Sequence, residues 1–232
     1  MPSIFASTED GTINKSGLTN WSNTRDASTG TSVSTTATGN GFAVNVVGSA
    51  GRGGGQGPYT LQRSFFSFDT SGISVTPANA TLRLFGFINN SADIIVVKAT
   101  FSTAFSPHLT TGGFDALDFS TPFSSQISTW STSGYNDITL NSDALAMMRD
   151  EDDLKIAVIE HDFDFSNVDP GTSTIIRTGF FFANNSGTSK DPVVEYTEGS
   201  TGYGNAVMGV ASGNIAKVNG VATVNIDKVI GV

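Results

Sequence analysis

Apolar residues in this sequence come in short runs rich in Val, Ile and Phe, separated at fairly regular spacing by Gly, Ser, Asn and Pro. Such runs are typical of β-strands, and the clusters between them are typical of turns. Residues 80–88 alternate apolar and polar side chains, which predicts a strand with one covered face. Residues 94–101 are almost continuously apolar and β-branched, which predicts a strand covered on both faces. Eight or more such strands favour a β-sandwich of the jelly-roll type.

One stretch has the features of a helix. Asn141 or Ser142 can cap a short helix that runs to Asp150. The negative charge of Asp143 in the first turn would interact favourably with the positive end of the helix dipole. We therefore expect an all-β protein: a jelly-roll β-sandwich over residues 1–198 with one short helix, a linker at 199–204, and a tail of short strands at 205–232.

The tail repeats itself every eleven residues. Residues 207–217 read VMGVASGNIAK, residues 218–228 read VNGVATVNIDK, and residues 229–232 begin a third copy with VIGV. A copy this small cannot bury its apolar side chains alone, and short strands leave edges that recruit partner strands. The repeat predicts a docking or oligomerisation tail, with a linker lacking fixed structure as the alternative. The apolar residues expected to make these contacts are Val207, Val210, Ile215, Val218, Val221, Ile226, Val229 and Val232.

Composition argues against several classes of function. The formal net charge is −9 and the twelve Lys and Arg are scattered, which argues against nucleic-acid binding. No run approaches the roughly 18–20 apolar residues that span a membrane, so we expect no membrane partner. The chain has no cysteine and its N-terminus does not resemble a signal peptide, which predicts synthesis in a reducing cytoplasm. The glycine-rich residues 49–58 lack the Gly-Lys-Ser/Thr ending of a phosphate-binding loop.

Three aromatic residues are candidates for ligand binding. Trp21, Trp130 and Tyr135 lie in stretches rich in Ser and Thr, as expected for side chains in loops. Sugars are bound by exposed aromatic rings with polar groups beside them, so these residues could form such platforms. The alternative is structural, because a jelly roll commonly buries a Trp between its sheets.

Acidic residues suggest weak candidates for a metal site. If the strand before them continued, Glu160, Asp162 and Asp164 would share one face and could hold Ca²⁺, which prefers oxygen ligands. The alternative is a solvated outer face. Residues 150–153 (DEDD) could form a second Ca²⁺ loop or a polar turn. No other cofactor is expected.

No catalytic residue can be assigned. The chain has two His, and it contains neither Gly-x-Ser-x-Gly nor His-Glu-x-x-His. We therefore predict that the protein is not an enzyme. A glycosidase with paired carboxylates stays open as a less favoured alternative, because acids are available but nothing selects a pair.

Several stretches in order resemble the DNRLRE-type jelly roll, a β-sandwich related to carbohydrate-binding modules. Residues 63–73 (RSFFSFDTSGI) match its pattern R-x-x-x-x-F-D-x-S-x-I, and residues 80–84, 137–140 and 192–197 follow as its later strands do. The resemblance spans roughly residues 8–198 and implies a fold rather than a ligand. We expect Arg63 and Asp69 to anchor the fold rather than to contact a ligand.

The tail resembles the C-termini of bacteriophage and marine-virus structural proteins, where similar repeats follow a β domain. The two resemblances together predict a bacteriophage virion protein: a head-decoration, neck or fibre component, made in the host cytoplasm and anchored through its repeat. Expected partners are other virion proteins and further copies of the chain, and a host surface glycan is a further candidate. The alternatives are a carbohydrate-binding module and, less favoured, a polysaccharide-acting enzyme.

Overall fold

The computed structural model describes residues 1–101 and 109–199, together with the backbone of 217–218 and 221–222. These residues form fourteen β-strands, all paired antiparallel. The strands are β1 (Ser3–Phe5), β2 (Gly11–Ser16), β3 (Ser32–Ser34), β4 (Val44–Ala50), β5 (Gln56–Asp69), β6 (Asn79–Asn90), β7 (Ile94–Ala99), β8 (Leu117–Pro122), β9 (Tyr135–Thr139), β10 (Asp153–Glu160), β11 (Ile175–Phe180), β12 (Val193–Thr197), β13 (Lys217–Val218) and β14 (Val221–Ala222).

Helical structure is limited to short elements. Helix α2 (Ser142–Asp150) is the predicted helix, and the Asn141 side chain caps it by accepting hydrogen bonds from the backbone N–H groups of Asp143 and Ala144. Helix α1 (Trp21–Arg25) was not predicted, because five residues are too few to show a helical period. A π-helical turn (His161–Phe165) follows β10, and 3₁₀ turns lie at Gly39–Gly41 and Thr111–Gly113.

Two long strands connect the layers of the sandwich. The first half of β6 pairs with β9 on one edge and β12 on the other, and its second half pairs with β11. Strand β5 pairs with β2 on one edge, and with β4 and then β10 on the other. Strands β7 and β8 extend the sheet beyond β10. The prediction of an all-β sandwich is confirmed.

The sheet of β5, β7 and β10 is buried on both faces. Along β7, Ile94 and Val96 belong to the hydrophobic cluster shared with β6, β9, β12 and α2, whereas Ile95 and Val97 belong to a second cluster on the opposite face. The second cluster also contains Trp21 from α1. This confirms that the continuous apolar run marks a strand covered on both sides.

Within the tail, β13 and β14 form an antiparallel pair in which Lys217 lies opposite Ala222 and Val218 opposite Val221. The first copy of the repeat ends at Lys217, so this pair starts at the junction of two copies. The remaining predicted contact residues, Val207, Val210, Ile215, Ile226, Val229 and Val232, lie outside the described residues. In the part of the chain that is described, no helix has the length and apolar character to cross a membrane.

Candidate functional site

Two of the three aromatic candidates meet at the edge strand β9. Trp130 and Tyr135 line one open surface groove of about 470 Å³, which we call the β9 groove. Polar side chains lie between and beside them, as sugar recognition requires. The groove is lined by Ile127, Thr129, Trp130, Ser131, Tyr135, Asn136 and Asp137.

The wall of the groove is held by Asn136. Its Nδ2 donates to the backbone oxygens of Ser131 and Leu84, at 3.0 and 3.2 Å, and its Oδ1 accepts from the Ser131 N–H at 2.6 Å. The Asn136 side chain therefore stabilises the turn before β9 and also connects this turn to β6. Because both amide atoms are already engaged, Asn136 holds the shape of the groove rather than offering a free donor to a ligand.

Close backbone approach brings Trp130 against β6. A Cβ atom at Gly86 would lie 2.0 Å from the Ser131 oxygen and 2.6 Å from the Trp130 Nε1, so the position requires glycine. The Trp130 ring packs against Phe180, with centroids 5.8 Å apart. Its Nε1 is buried and finds no hydrogen-bond partner among the described residues.

Tyr135 is fixed by its neighbours on the outer face of β6. Its ring meets Phe85 edge-on at 5.3 Å, the Arg83 guanidinium lies 4.9 Å from its centre, and its hydroxyl donates to the Asp191 backbone oxygen at 3.1 Å. Burial raises the pKa of Tyr135. Arg83 in turn pairs with Asp137 and Glu195, both at 2.8 Å. Asp137, on the polar side of the groove, is therefore part of an ion-pair network with Arg83 and Glu195.

A row of aromatic rings continues from Tyr135 along the outer face. Phe181 contacts both Phe85 and Phe87, and all three residues are partly exposed. The Lys190 ammonium lies 4.4 Å from the centre of the Phe181 ring. The sequence analysis did not select these residues. The signal was available, because the alternation of residues 80–88 places Phe85 and Phe87 on the face opposite the core.

Trp21 lies elsewhere and is not a platform. It is 5% exposed in the second hydrophobic cluster and packs edge-on against Tyr59, with ring centroids 5.5 Å apart. The Ser- and Thr-rich surroundings that suggested a loop belong to the start of α1, which turns the indole inward. Trp21 is therefore part of the second hydrophobic cluster, which corresponds to the structural alternative.

The acidic stretch after β10 does not form the predicted strand face. Strand β10 ends at Glu160, and the π-helical turn that follows separates the three carboxylates. Glu160 caps this turn by accepting from the N–H groups of Asp162, Phe163 and Asp164, and Asp164 is fully buried. Asp162 instead points to the surface beside His161 and Gln126. This arrangement gives the Ca²⁺ prediction at Glu160, Asp162 and Asp164 no support.

Asp164 forms a buried ion pair with Arg63. The fully buried guanidinium donates to both carboxylate oxygens at 2.8 and 2.7 Å, and to the backbone oxygens of Phe114 and Arg25. Arg63 therefore joins β5 to the π-helical turn, to α1 and to the segment before β8. We expected Arg63 to anchor the fold, and its buried contacts hold these segments together.

The acidic residues 150–153 are likewise divided among local partners. Asp150 ends α2 and pairs with Arg149 at 2.5 Å, Glu151 lies 3.8 Å from Lys98, and Asp153 begins β10. The arrangement is that of a polar turn between a helix and a strand. Among the described residues, no group of three or more acidic or histidine side chains is placed to hold a metal ion.

Two further carboxylates, those of Asp10 and Asp191, are also buried. Asp10 is 0% exposed and accepts from the Ala183 N–H at 3.0 Å, and Asp191 is 6% exposed. Burial raises the pKa of Asp10 to about 8; the Ala183 hydrogen bond opposes this rise, and the charges of Asp191 and Glu9 add to it. Neither buried carboxylate could be identified from the sequence, because its burial depends on segments far away in the chain.

Comparisons with known proteins do not place the chain in a family. No family model matches it, and no curated protein sequence matches it significantly.

Proposed function

We propose that the protein is a structural component of a bacteriophage virion, with the β-sandwich displayed and the C-terminal repeat docked onto neighbouring subunits. The observation that carries the proposal is the eleven-residue repeat, whose first two copies meet at the β13–β14 pair. Head decoration, neck and fibre are the candidate positions for such a component.

The physics of the repeat supports attachment to other chains. A two-stranded pair with two residues in each strand is marginal alone in water, and needs further strands or a packed face for stability. The repeat offers Val and Ile side chains at recurring positions, and its Gly and Ala residues permit close approach of another backbone. Further copies of the chain, or a shell protein, would supply additional strands for pairing and an apolar surface that covers the Val and Ile side chains.

Deletion of residues 205–232 tests this proposal. The expected result is loss of incorporation into particles, or a smaller assembly in solution by light scattering, while the sandwich keeps its thermal unfolding transition. Unchanged incorporation and unchanged assembly size would refute the docking role.

The repeat provides its own matched control. The double variant Val210→Asp and Val221→Asp places charges at a position that is Val in both complete copies, and should abolish assembly. The control Met208→Asn introduces the residue that the second copy already has at Asn219, and should leave assembly intact. An equal effect of both variants would argue against a specific interface.

A second candidate function is glycan binding, favoured by the meeting of Trp130 and Tyr135 in the β9 groove. A ring stacked on a sugar, with Asp137 and Thr129 beside it, is the usual form of such a site. Asp137 is the one carboxylate lining the described groove, whereas glycoside hydrolysis requires two. The groove therefore supports binding and gives the enzyme alternative no support.

The glycan alternative is tested on a glycan array with the full chain. Tyr135→Ala should weaken binding about tenfold, or about 1.4 kcal/mol, because it removes the stacking surface. Leu18→Ser, an exposed position outside the groove, should bind as the wild type does. Binding that is unaffected by Tyr135→Ala would place any glycan site elsewhere.

A further inference from the structure

Strand β9 has a free edge that borders the β9 groove. The N–H of Leu140, directly after β9, donates to the Ala80 oxygen at 3.0 Å. Because backbone groups alternate in direction along an antiparallel strand, the even-numbered residues of β9 bond to β6 and the odd-numbered ones point away from it. Three residues therefore have backbone N–H and C=O groups without a backbone partner among the described residues: Tyr135, Asp137 and Thr139.

The other edge strands of the large sheet are unsuited to further pairing. Strands β1 and β3 have three residues each. Strand β8 shifts register against β7 and ends at Pro122, which has no N–H to donate. Strand β9 instead pairs with β6 over five consecutive residues without a shift. Among the described edges, β9 is therefore the most regular template for an added strand.

The groove beside this edge has the shape for a single extended segment. Its far wall is fixed, because Ile127 exchanges backbone hydrogen bonds of 2.8 and 3.0 Å with Ile94 of β7. Ile127 and Trp130 on this wall pack, partly buried, against the main hydrophobic cluster. The groove thus offers unpaired backbone groups on one side and apolar side chains on the other, whereas residues 127–131 obstruct the approach of a whole second sheet.

One stretch of the tail has the pattern that such a groove selects. Residues 223–227 read TVNID, which alternates polar and apolar side chains over the same length as β9. On a strand paired with β9, Val224 and Ile226 would fall on the face where Ile138 is buried in the core. The three polar residues would lie on the outer face with Asp137 and Thr139.

The charges favour contact between a tail and a sandwich over contact between two sandwiches. Two of the twelve Lys and Arg and one of the 21 Asp and Glu lie in residues 205–232, so the tail has a net charge of +1 and the rest of the chain −10. Two sandwiches therefore repel each other, whereas the tail of one copy is attracted to the sandwich of another.

We propose that residues 223–227 of one copy of the chain bind as an added strand to the free edge of β9 in a neighbouring copy. This inference rests on the proposed function, because it gives the docking tail a defined receptor. The contact joins two different surfaces, the tail of one copy and the β9 edge of the next. Such a head-to-tail contact repeats from copy to copy and builds a ring or a filament.

A proline at the edge tests the receptor in the full chain. Thr139→Pro removes an N–H that points away from β6, so the β6–β9 hydrogen bonds remain. We expect the variant to keep the thermal unfolding transition of the sandwich but to form a smaller assembly by light scattering. Thr139→Val keeps the N–H and should assemble as the wild type does. An unchanged assembly size in Thr139→Pro would overturn the proposal.

Cysteine pairs test the contact directly, since the chain has no native Cys. A chain with Thr139→Cys is co-expressed with a chain that carries one Cys in the tail, and the assembly is oxidised. Directly opposite residues of paired strands have Cβ atoms roughly 4.5–5.5 Å apart, close to the range that a disulfide bridges. We expect a disulfide-linked pair of chains on a non-reducing gel for at least one of the outward tail positions, tested as Thr223→Cys, Asn225→Cys and Asp227→Cys.

The matched control replaces Thr139→Cys by Leu18→Cys, an exposed position outside the groove, and should give no linked pair. Absence of a link at all three tail positions, or a link formed only within one chain that carries both Cys, would refute the proposal. If deletion of residues 205–232 abolishes assembly while the β9 variants have no effect, the docking tail stands and its receptor is not β9. If the deletion itself has no effect, the proposed function fails.

Discussion

Arg63 and Asp164 form a bidentate ion pair from which water is excluded, although 101 positions separate them in the chain. Both side chains are 0% exposed. The guanidinium has further acceptors in the backbone oxygens of Phe114 and Arg25, so each of its three nitrogens donates at least one hydrogen bond. Arg63 thus connects three segments to one face of β5: the π-helical turn, the segment before β8 and α1.

Removing one partner of this pair should strongly destabilise the protein. Asp164→Asn leaves the Arg63 charge buried with a neutral partner, and we expect the free energy of unfolding to fall by about 3–5 kcal/mol. Denaturant unfolding followed by circular dichroism measures the loss. Asp162→Asn, two residues away and half exposed, is the control and should cost less than about 1 kcal/mol. Comparable losses in the two variants would contradict the assigned role.

Glu160 should make stability depend on pH. Burial raises its pKa to about 7 from the ordinary 4.5, although three backbone N–H groups oppose the shift. The folded protein therefore holds this proton to a higher pH than the unfolded chain does. The contribution of Glu160 is fully present below about pH 4.5 and is lost as the pH rises through about 7.

This pH dependence is measured against Glu160→Gln, which cannot titrate. Between about pH 5 and pH 8, the unfolding free energy of the wild type should fall relative to that of the variant by up to about 3 kcal/mol. The variant itself should be less stable than the wild type at low pH, because its amide nitrogen cannot accept the capping hydrogen bonds. Parallel pH curves for the two proteins would show that Glu160 does not titrate in this range.

Gly86→Ala should disrupt the β9 groove. The added methyl group would collide with the Ser131 oxygen at 2.0 Å and displace the turn that carries Trp130. We expect a loss of about 1–3 kcal/mol in unfolding free energy and a red shift in tryptophan fluorescence. Gly134→Ala lies in the same turn, where the nearest atom to a new Cβ is 3.7 Å away, and should change neither. Fluorescence that is unaltered in Gly86→Ala would mean that the turn does not pack as described.

The two tryptophans should differ in their access to solvent. Trp21→Phe leaves Trp130 as the reporter, and Trp130→Phe leaves Trp21, since the chain has two Trp. Acrylamide should quench the fluorescence of Trp21→Phe more efficiently, because Trp130 is partly exposed while Trp21 is 5% exposed. Equal quenching of the two variants would show that the Trp130 side chain is not exposed at the groove surface.

Local pattern predicts much of this fold but less of its sites. The alternation in residues 80–88 identifies β6 and its outward Phe85, and the Asn141 cap identifies α2, because both signals depend on nearby residues. The same reasoning fails after Glu160. There, apolar and acidic residues alternate as in a strand, yet the backbone turns because Glu160 caps it and Arg63 binds Asp164.

The sequence alone determined the all-β class, the position of α2 and the eleven-residue repeat, because strand periods, caps and repeats are written in neighbouring residues. Tertiary structure alone decided that Trp130 joins Tyr135 while Trp21 turns inward, and that Arg63 meets Asp164. Arg63 and Asp164 are far apart in the chain, and the burial of each Trp depends on how whole strands pair and pack, so no local pattern encodes these relationships.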